Sequence, residues 1–267
     1  MSSSREMGRK QSFAVREQCA GRSIRRGRCG LALLLGVLLL PGAVQAADLL
    51  HAVPAASRQL VLVTTDAWTA SAARVECFTR RAADAPWRRE GAPRPALTGA
   101  RGLAWGRGLH TIPPGATRRK REGDRCAPAG VFRITGAFGQ LAPRALGPLR
   151  IGYRQVSEGW EAVDDPASRH YNRIVYRPAL AHPDWRSSER LWTGSHYRLA
   201  VDLAHNPQGV PGAGSCIFLH VWSGVRAGTA GCTVLRFGDL RGLVRWLDAA
   251  AQPVLLQAPA GVAPRLP

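Results

Sequence analysis

Gly214-Ser215-Cys216-Ile217-Phe218-Leu219-His220-Val221-Trp222, followed by Thr229-Ala230-Gly231-Cys232, sets a strand, a histidine and a cysteine in close succession. Ile217 to Trp222 is a near-continuous apolar run, the pattern of a strand buried on both faces. His220 is its one ionisable residue. Upstream, Tyr197, Leu199, Val201 and Leu203 alternate with Arg198, Ala200 and Asp202, the period of a half-buried strand. Asn206-Pro207-Gln208-Gly209-Val210-Pro211-Gly212 lies between the two and is dense in turn formers. After Trp222, a loop containing Ser223, Gly224 and Gly228 leads to the cysteine.

Nearer the N-terminus, Gln59–Thr65 is a β-branched run, and Arg74–Arg80 alternates around Val75, Cys77 and Thr79; both read as strands. Residues 84–117 are rich in Pro, Gly, Arg and Trp and read as loops and short strands on a surface. Leu240, Leu243, Val244 and Leu247 fall at i, i+3, i+4 and i+7, which predicts a helix from Gly238 to Ala250. Pro253–Leu256 is a plausible closing strand before a Pro/Ala-rich tail. The balance is mainly β with few short helices. No internal repeat appears, and no linker forces two domains.

The N-terminal segment reads as an address. A basic stretch ends at Arg25-Arg26-Gly27-Arg28, the short apolar run Gly30–Leu40 follows, and Val44-Gln45-Ala46 offers small residues for cleavage. A membrane span needs about 20 apolar residues, and this run is too short. The residues after Arg25-Arg26 do not support a twin-arginine signal, and Cys29 precedes the apolar run, where no lipid-attachment cysteine belongs. The organisation expected is a signal peptide over 1–46, one catalytic domain over 47–257 and a short tail over 258–267.

The chain of 267 residues carries a formal charge of +19. Residues 1–46 hold eight Lys/Arg against two Glu, leaving the remainder near +13. Such a charge attracts polyanions; an exported protein meets wall polymers and anionic lipid, not nucleic acid. The basic residues are nearly all Arg, with Lys10 and Lys120 the two lysines, so a GC-rich coding bias explains part of the charge. Cys77, Cys126, Cys216 and Cys232 remain after processing. If Cys232 is kept as a thiol, the other three allow one bridge and one odd thiol, with the pairing open. No Cys-x-x-Cys or clustered Cys/His spacing suggests zinc, and neither a metal nor another cofactor is called for.

A free thiol has a pKa near 8.5 and is mostly protonated at neutral pH, so a nucleophilic cysteine needs a neighbouring base or a positive environment. His220, held on a rigid strand end, supplies the base. Gly231 lets the backbone approach a substrate carbonyl, and amides flanking Cys232 offer an oxyanion site.

These parts resemble the L,D-transpeptidase catalytic domain family of bacterial cell-wall enzymes. The family's strand-borne histidine is matched by His220, and its Ser/Thr-x-Gly-Cys element by Thr229-Ala230-Gly231-Cys232. A second element, Lys120-Arg121-Glu122-Gly123-Asp124-Arg125-Cys126-Ala127-Pro128-Ala129-Gly130-Val131-Phe132, is similar to the family's Lys-x-Glu-Gly-Asp-x-x-Thr-Pro-x-Gly-x-Phe. The likeness extends over roughly residues 57–257. Three departures mark a divergent branch: Val221-Trp222 follows the histidine where glycine is commoner, Thr233-Val234 follows the cysteine without Arg or Asn, and Cys126-Ala127 stands where Thr is expected.

The resemblance implies a mainly β, sandwich- or barrel-like domain in which Cys232 is nucleophile and His220 is general base. Peptidoglycan stem peptides are the implied substrate. Gly231, Thr229 and Ala230 are then expected at the substrate and oxyanion side, with Glu122, Asp124, Gly130, Tyr171 and Asn172 as motif or groove residues. Asp164-Asp165-Pro166 reads as a turn, and Trp222 as core. His170, His196 and His205 read as exposed polar residues. A hydrolase on the same site, or a wall-binding protein with its cysteines in disulfides, are the alternatives. A papain-like arrangement does not fit, since there the nucleophile precedes the histidine in the chain.

Overall fold

The computed structural model describes residues 46–224 and 228–267. The leader expected over 1–46 therefore lies outside the described residues, apart from Ala46, which opens the short helix α1 (Ala46–His51). Among the described residues no helix is long and apolar enough to cross a membrane.

Eight strands close into a barrel. In chain order they are β1 (Gln59–Thr65), β2 (Ala72–Thr79), β3 (Arg94–Leu97), β4 (Ala127–Gly139), β5 (Ala200–Leu203), β6 (Phe218–Val221), β7 (Thr233–Leu235) and β8 (Val254–Pro259). Around the barrel they run β1-β8-β4-β5-β6-β7-β3-β2, and β2 pairs back with β1. The β1–β8 and β6–β7 pairs are parallel and the rest antiparallel. The mainly β, barrel-like fold expected from the sequence is the one observed.

The spine is β4. Its 13 residues pair with β8 over Gly130–Arg133 and with β5 over Ile134–Phe138, and the register slips opposite Asp202/Leu203, as at a β-bulge. Composition concealed it. Pro128 and three glycines sit inside the strand, residues that ordinarily argue against one.

Alternation along the strands divides the apolar residues into layers. Val61, Phe132, Val201, Leu219 and Leu255 point into the barrel, where they meet Leu240, Leu243, Val244 and Leu247 of the helix segment after β7. That helix is α3 (Phe237–Trp246), with Leu247 just past its end, and the short helix α2 (Pro143–Leu146) comes earlier in the chain. α3 stops short of the expected Ala250. Leu247 turns extended, and Asp248 accepts the Ala250 N–H to start a separate 3-10 turn, Ala249–Ala251. On the outside, Leu60, Leu62, Val131 and Leu256 pack with Leu49, Trp87 and Trp105. Ala263, Val262 and Leu266 join this outer layer, so the segment expected as a tail lies against the barrel and begins within β8.

A third layer positions the site. The antiparallel strands Trp160–Val163, Arg173–Tyr176 and Ser188–Arg190 form a small separate sheet with Trp160–Val163 at its centre. Its Ala162 packs with Leu191, Tyr197 and the outward-facing Phe138, Ala200 and Phe218 of the barrel. The strand expected from Tyr197 begins only at Ala200, because Ser195–Arg198 coil into a 3-10 turn. That turn lays the Tyr197 ring against Phe138 and Phe218.

Leu243 is fully buried between α3 and the barrel interior. Leu243→Ala is expected to cost about 2–5 kcal/mol, read as a lower urea midpoint with an unchanged slope.

Candidate active site

The parallel register of β6 and β7 aligns Leu219 with Thr233 and His220 with Val234. Cys232, one residue before Thr233, therefore lies beside Phe218, whose N–H donates to Sγ at 3.3 Å. Successive strand side chains alternate faces, so Phe218 and His220 share the outer face of the barrel on which the thiol sits. The Cys232 thiol and the His220 ring line one pocket of about 220 Å³, together with Thr229, Ala230 and Gly231. The small sheet closes its other side with Glu189, and the 3-10 turn adds His196 and Tyr197.

His220 Nδ1 lies 3.1 Å from the Val221 carbonyl. The carbonyl only accepts, so Nδ1 carries the proton and Nε2 is left as the basic nitrogen. Tyr197 and His196 pack on the ring at 5.6 Å between centroids. Burial pulls the His220 pKa down to about 4; the Val221 bond works against that, and the neighbouring His196 reinforces it. Burial likewise pushes the Cys232 thiol up to about 12, and the Glu189 carboxylate adds to the rise. The Phe218 N–H and the Lys120 ammonium pull the other way without cancelling it. At rest the pair is a neutral thiol beside a neutral imidazole.

The turn before the cysteine is held by Thr229. Its hydroxyl donates to the Cys232 carbonyl and accepts the Gly231 N–H at 3.1 Å. The Gly231 amide is therefore committed within the turn. A Cβ at Gly231 would stand 3.2 Å from Ile217 Cδ1 and 3.3 Å from the Cys126 carbonyl, a space that suits glycine.

The upstream motif folds into a brace behind this turn. Buried Lys120 donates to Asp124 Oδ1 at 2.6 Å and to the Arg121 carbonyl at 2.7 Å, while Asp124 also accepts the Arg121 and Cys126 N–H groups. Glu122 accepts hydroxyl bonds from Tyr171 and Ser215. Asn172 donates to the carbonyls of His205 and Asn206 and accepts the Cys216 N–H, each at 2.8 Å. Glu122, Tyr171 and Asn172 thus tie the motif to the turn-rich segment that feeds β6. Tyr171 and Asn172 line a larger neighbouring cavity of about 550 Å³ instead of the thiol pocket. Gly130 stands apart. Its φ of +135 and its contact with the His110 ring, 1.8 Å from where a Cβ would be, explain the glycine without any contact to the pocket.

Asp165 accepts the N–H groups of Ala167 and Arg186 and clamps a turn, the reading given to Asp164-Asp165-Pro166. His170 packs edge-on against Trp185. All three histidines expected to be exposed differ from that: His205 is buried, with Nε2 3.2 Å from the Ala213 carbonyl, His196 is half-buried in the pocket, and His170 is half-buried as well. Trp222 is half-buried. All four described cysteines are free thiols, so the bridge that their number allows is not formed. Among the described residues no group of three or more His, Cys, Asp or Glu could hold a metal ion.

Glu189, His196 and Tyr197 escaped the sequence reading as members of the site. Nothing in Ser188-Glu189-Arg190 marks it, since only the pairing of the small sheet brings that strand to the thiol.

No protein-family model matches the chain, and no curated protein matches it. Among solved structures the chain is similar to the helical cell shape determining protein Pgp2 from Campylobacter jejuni, with 14% identity and a TM-score of 0.35 over 78% of this chain and 49% of that one. It spans about half the length of that protein.

Gly130→Ala is expected to lower the urea midpoint by driving a methyl into the His110 ring, and to leave the pH profile of Cys232 alkylation unchanged. Acid should destabilise the fold through its buried histidines. The folded pKa values of His205 and His220 lie at about 3 and about 4, below the unfolded value of about 6.5. Their contribution is complete above that value and is lost as pH falls toward the folded ones. Urea midpoints measured from pH 7 to 4 should fall, with a shallower fall in His205→Gln.

Proposed function

We propose that this protein is an exported peptidoglycan L,D-transpeptidase working in the periplasm or cell-wall space. The observation that carries the reading is the placement of the Cys232 thiol and the His220 imidazole in one pocket on neighbouring parallel strands. The Thr-x-Gly-Cys turn and the motif brace stand behind them.

In the first half-reaction Sγ attacks the carbonyl that joins an L-centre to a D-residue of a stem peptide, and His220 Nε2 takes the thiol proton. The S–C bond forms, the C–N bond breaks, and His220 returns the proton to the leaving amine. In the second half-reaction an amine of a neighbouring stem attacks the thioester and gives up its proton to His220. The new amide forms, and the thiolate departs to be reprotonated. Because thiol and imidazole both rest neutral, proton transfer is coupled to attack, which protects the nucleophile between turnovers.

Water in place of the amine would make the same site an L,D-carboxypeptidase or an enzyme that releases protein from peptidoglycan. One observation favours keeping this second reading: Thr233 and Val234 are buried in the barrel wall, and Thr233 bonds Gln257, so the residues after the nucleophile offer no polar contact to an acceptor. The free thiols speak against a wall-binding protein stapled by disulfides.

Intact mass after incubation with a carbapenem tests the nucleophile. The wild type is expected to carry a stable adduct, Cys232→Ala none, and His220→Ala to acylate about 10²–10⁴-fold more slowly. A free thiol with no adduct would favour a hydrolase whose pocket excludes the drug. Cys232 found in a disulfide would overturn the enzymatic reading.

A further inference from the structure

Glu161 and Glu189 are carried by adjacent strands of the small sheet, and their surroundings differ sharply. Glu161 accepts bonds from Trp185 Nε1 at 2.7 Å and Ser188 Oγ at 2.6 Å, with Arg177 at 3.5 Å. Glu189, paired in register with Ala162, points to the opposite face, toward the barrel. Among the described residues its carboxylate has neither a hydrogen-bond partner nor an ion-pair partner. It nevertheless lines the pocket of Cys232 and His220. A half-buried carboxylate without a protein partner is open to a cation, and this one also opposes ionisation of the thiol that shares its pocket.

The charged groups around it supply no compensation. Asp164 and Glu122 are like charges, Cys216 and Cys232 are thiols, and burial holds the His196 and His220 rings toward their neutral forms. Lys120, the cation that favours ionised Cys232, is already bonded to Asp124. Burial, reinforced by Asp164 and Glu122, raises the Glu189 pKa to about 7.

We propose that Glu189 is a specificity residue that receives an ammonium group carried by the substrate close to the carbonyl attacked by Cys232, and that this pairing removes the repulsion Glu189 exerts on a developing thiolate. The proposal rests on the reading of Cys232 as nucleophile. A compact ammonium suits a pocket of about 220 Å³ that must also admit the carbonyl. A substrate lacking the cation meets a carboxylate that resists ionisation of the thiol. A substrate bearing it cancels that charge as it binds, so recognition and activation become one event.

Two measurements on the full chain test this. The first is the rate of Cys232 alkylation by iodoacetamide against pH, in the wild type and Glu189→Gln. The carboxylate is neutral below its pKa of about 7 and charged above it. The two curves are therefore expected to coincide in acid and to separate above neutrality, the variant reacting faster by about fivefold or more as its thiol ionises more readily. Curves that coincide throughout overturn the proposal. The second is calorimetric binding to Cys232→Ala, which needs no turnover. The probe is a tetrapeptide stem with a diamino acid before its terminal D-alanine, its side-chain amine free or acetylated. The free amine is expected to bind about tenfold more tightly, and Glu189→Gln to abolish that preference. Equal affinity for the two peptides, or a preference that survives Glu189→Gln, overturns the proposal. Carbapenem acylation judges the nucleophile separately, so an adduct with no amine preference sinks the role of Glu189 and leaves the enzymatic reading standing.

Discussion

The parallel pairing of β6 with β7 is the constraint on which the rest of the site depends. Antiparallel neighbours can be joined by a two-residue turn, but parallel ones need a longer crossover that carries the chain back to its starting level. β6 ends at Val221 and β7 begins at Thr233. The parallel register sets Cys232 at the level of Phe218, one pleat away from His220 on the same outer face. Thr229 fixes the end of the return, and the Lys120–Asp124 turn supports it from behind.

Electrostatics follow from burial in that position. A thiol and an imidazole set under a covering sheet lose water, and losing water disfavours both the thiolate and the imidazolium. The site therefore does not hold a preformed ion pair. On the proposed reading its reactivity waits on a substrate that brings a polarised carbonyl to the thiol, and the unpaired carboxylate of Glu189 would sharpen that dependence.

What could be read in the chain beforehand was what is local in it. His220 on an apolar strand and Cys232 after a Gly-containing turn declare themselves by neighbours in sequence, and the amphipathic period of α3 does the same. The long β4 did not, because Pro128 and its glycines suppress the alternation by which strands are recognised. The end of α3 was misplaced because Asp248 starts a new turn within an unbroken run of helix formers. Glu122, Tyr171 and Asn172 were legible as residues but not as a brace, since their partners in 205–216 lie far along the chain. Glu189 and His196 were invisible as site members, because a three-stranded sheet and a 3-10 turn place them there.

The face that carries Cys232 and His220 lies outside the barrel, under a small sheet that contributes none of the barrel's eight strands. Residues that fill the barrel and residues that cover the thiol pocket thus occupy different layers. Substitutions in Trp160–Val163, Arg173–Tyr176 or Ser188–Arg190 can reshape what reaches the thiol while the barrel hydrogen bonds stay closed. A lineage can accordingly drift in what this pocket admits at little cost to folding, and divergence should gather in the covering sheet while the strands beneath it stay recognisable.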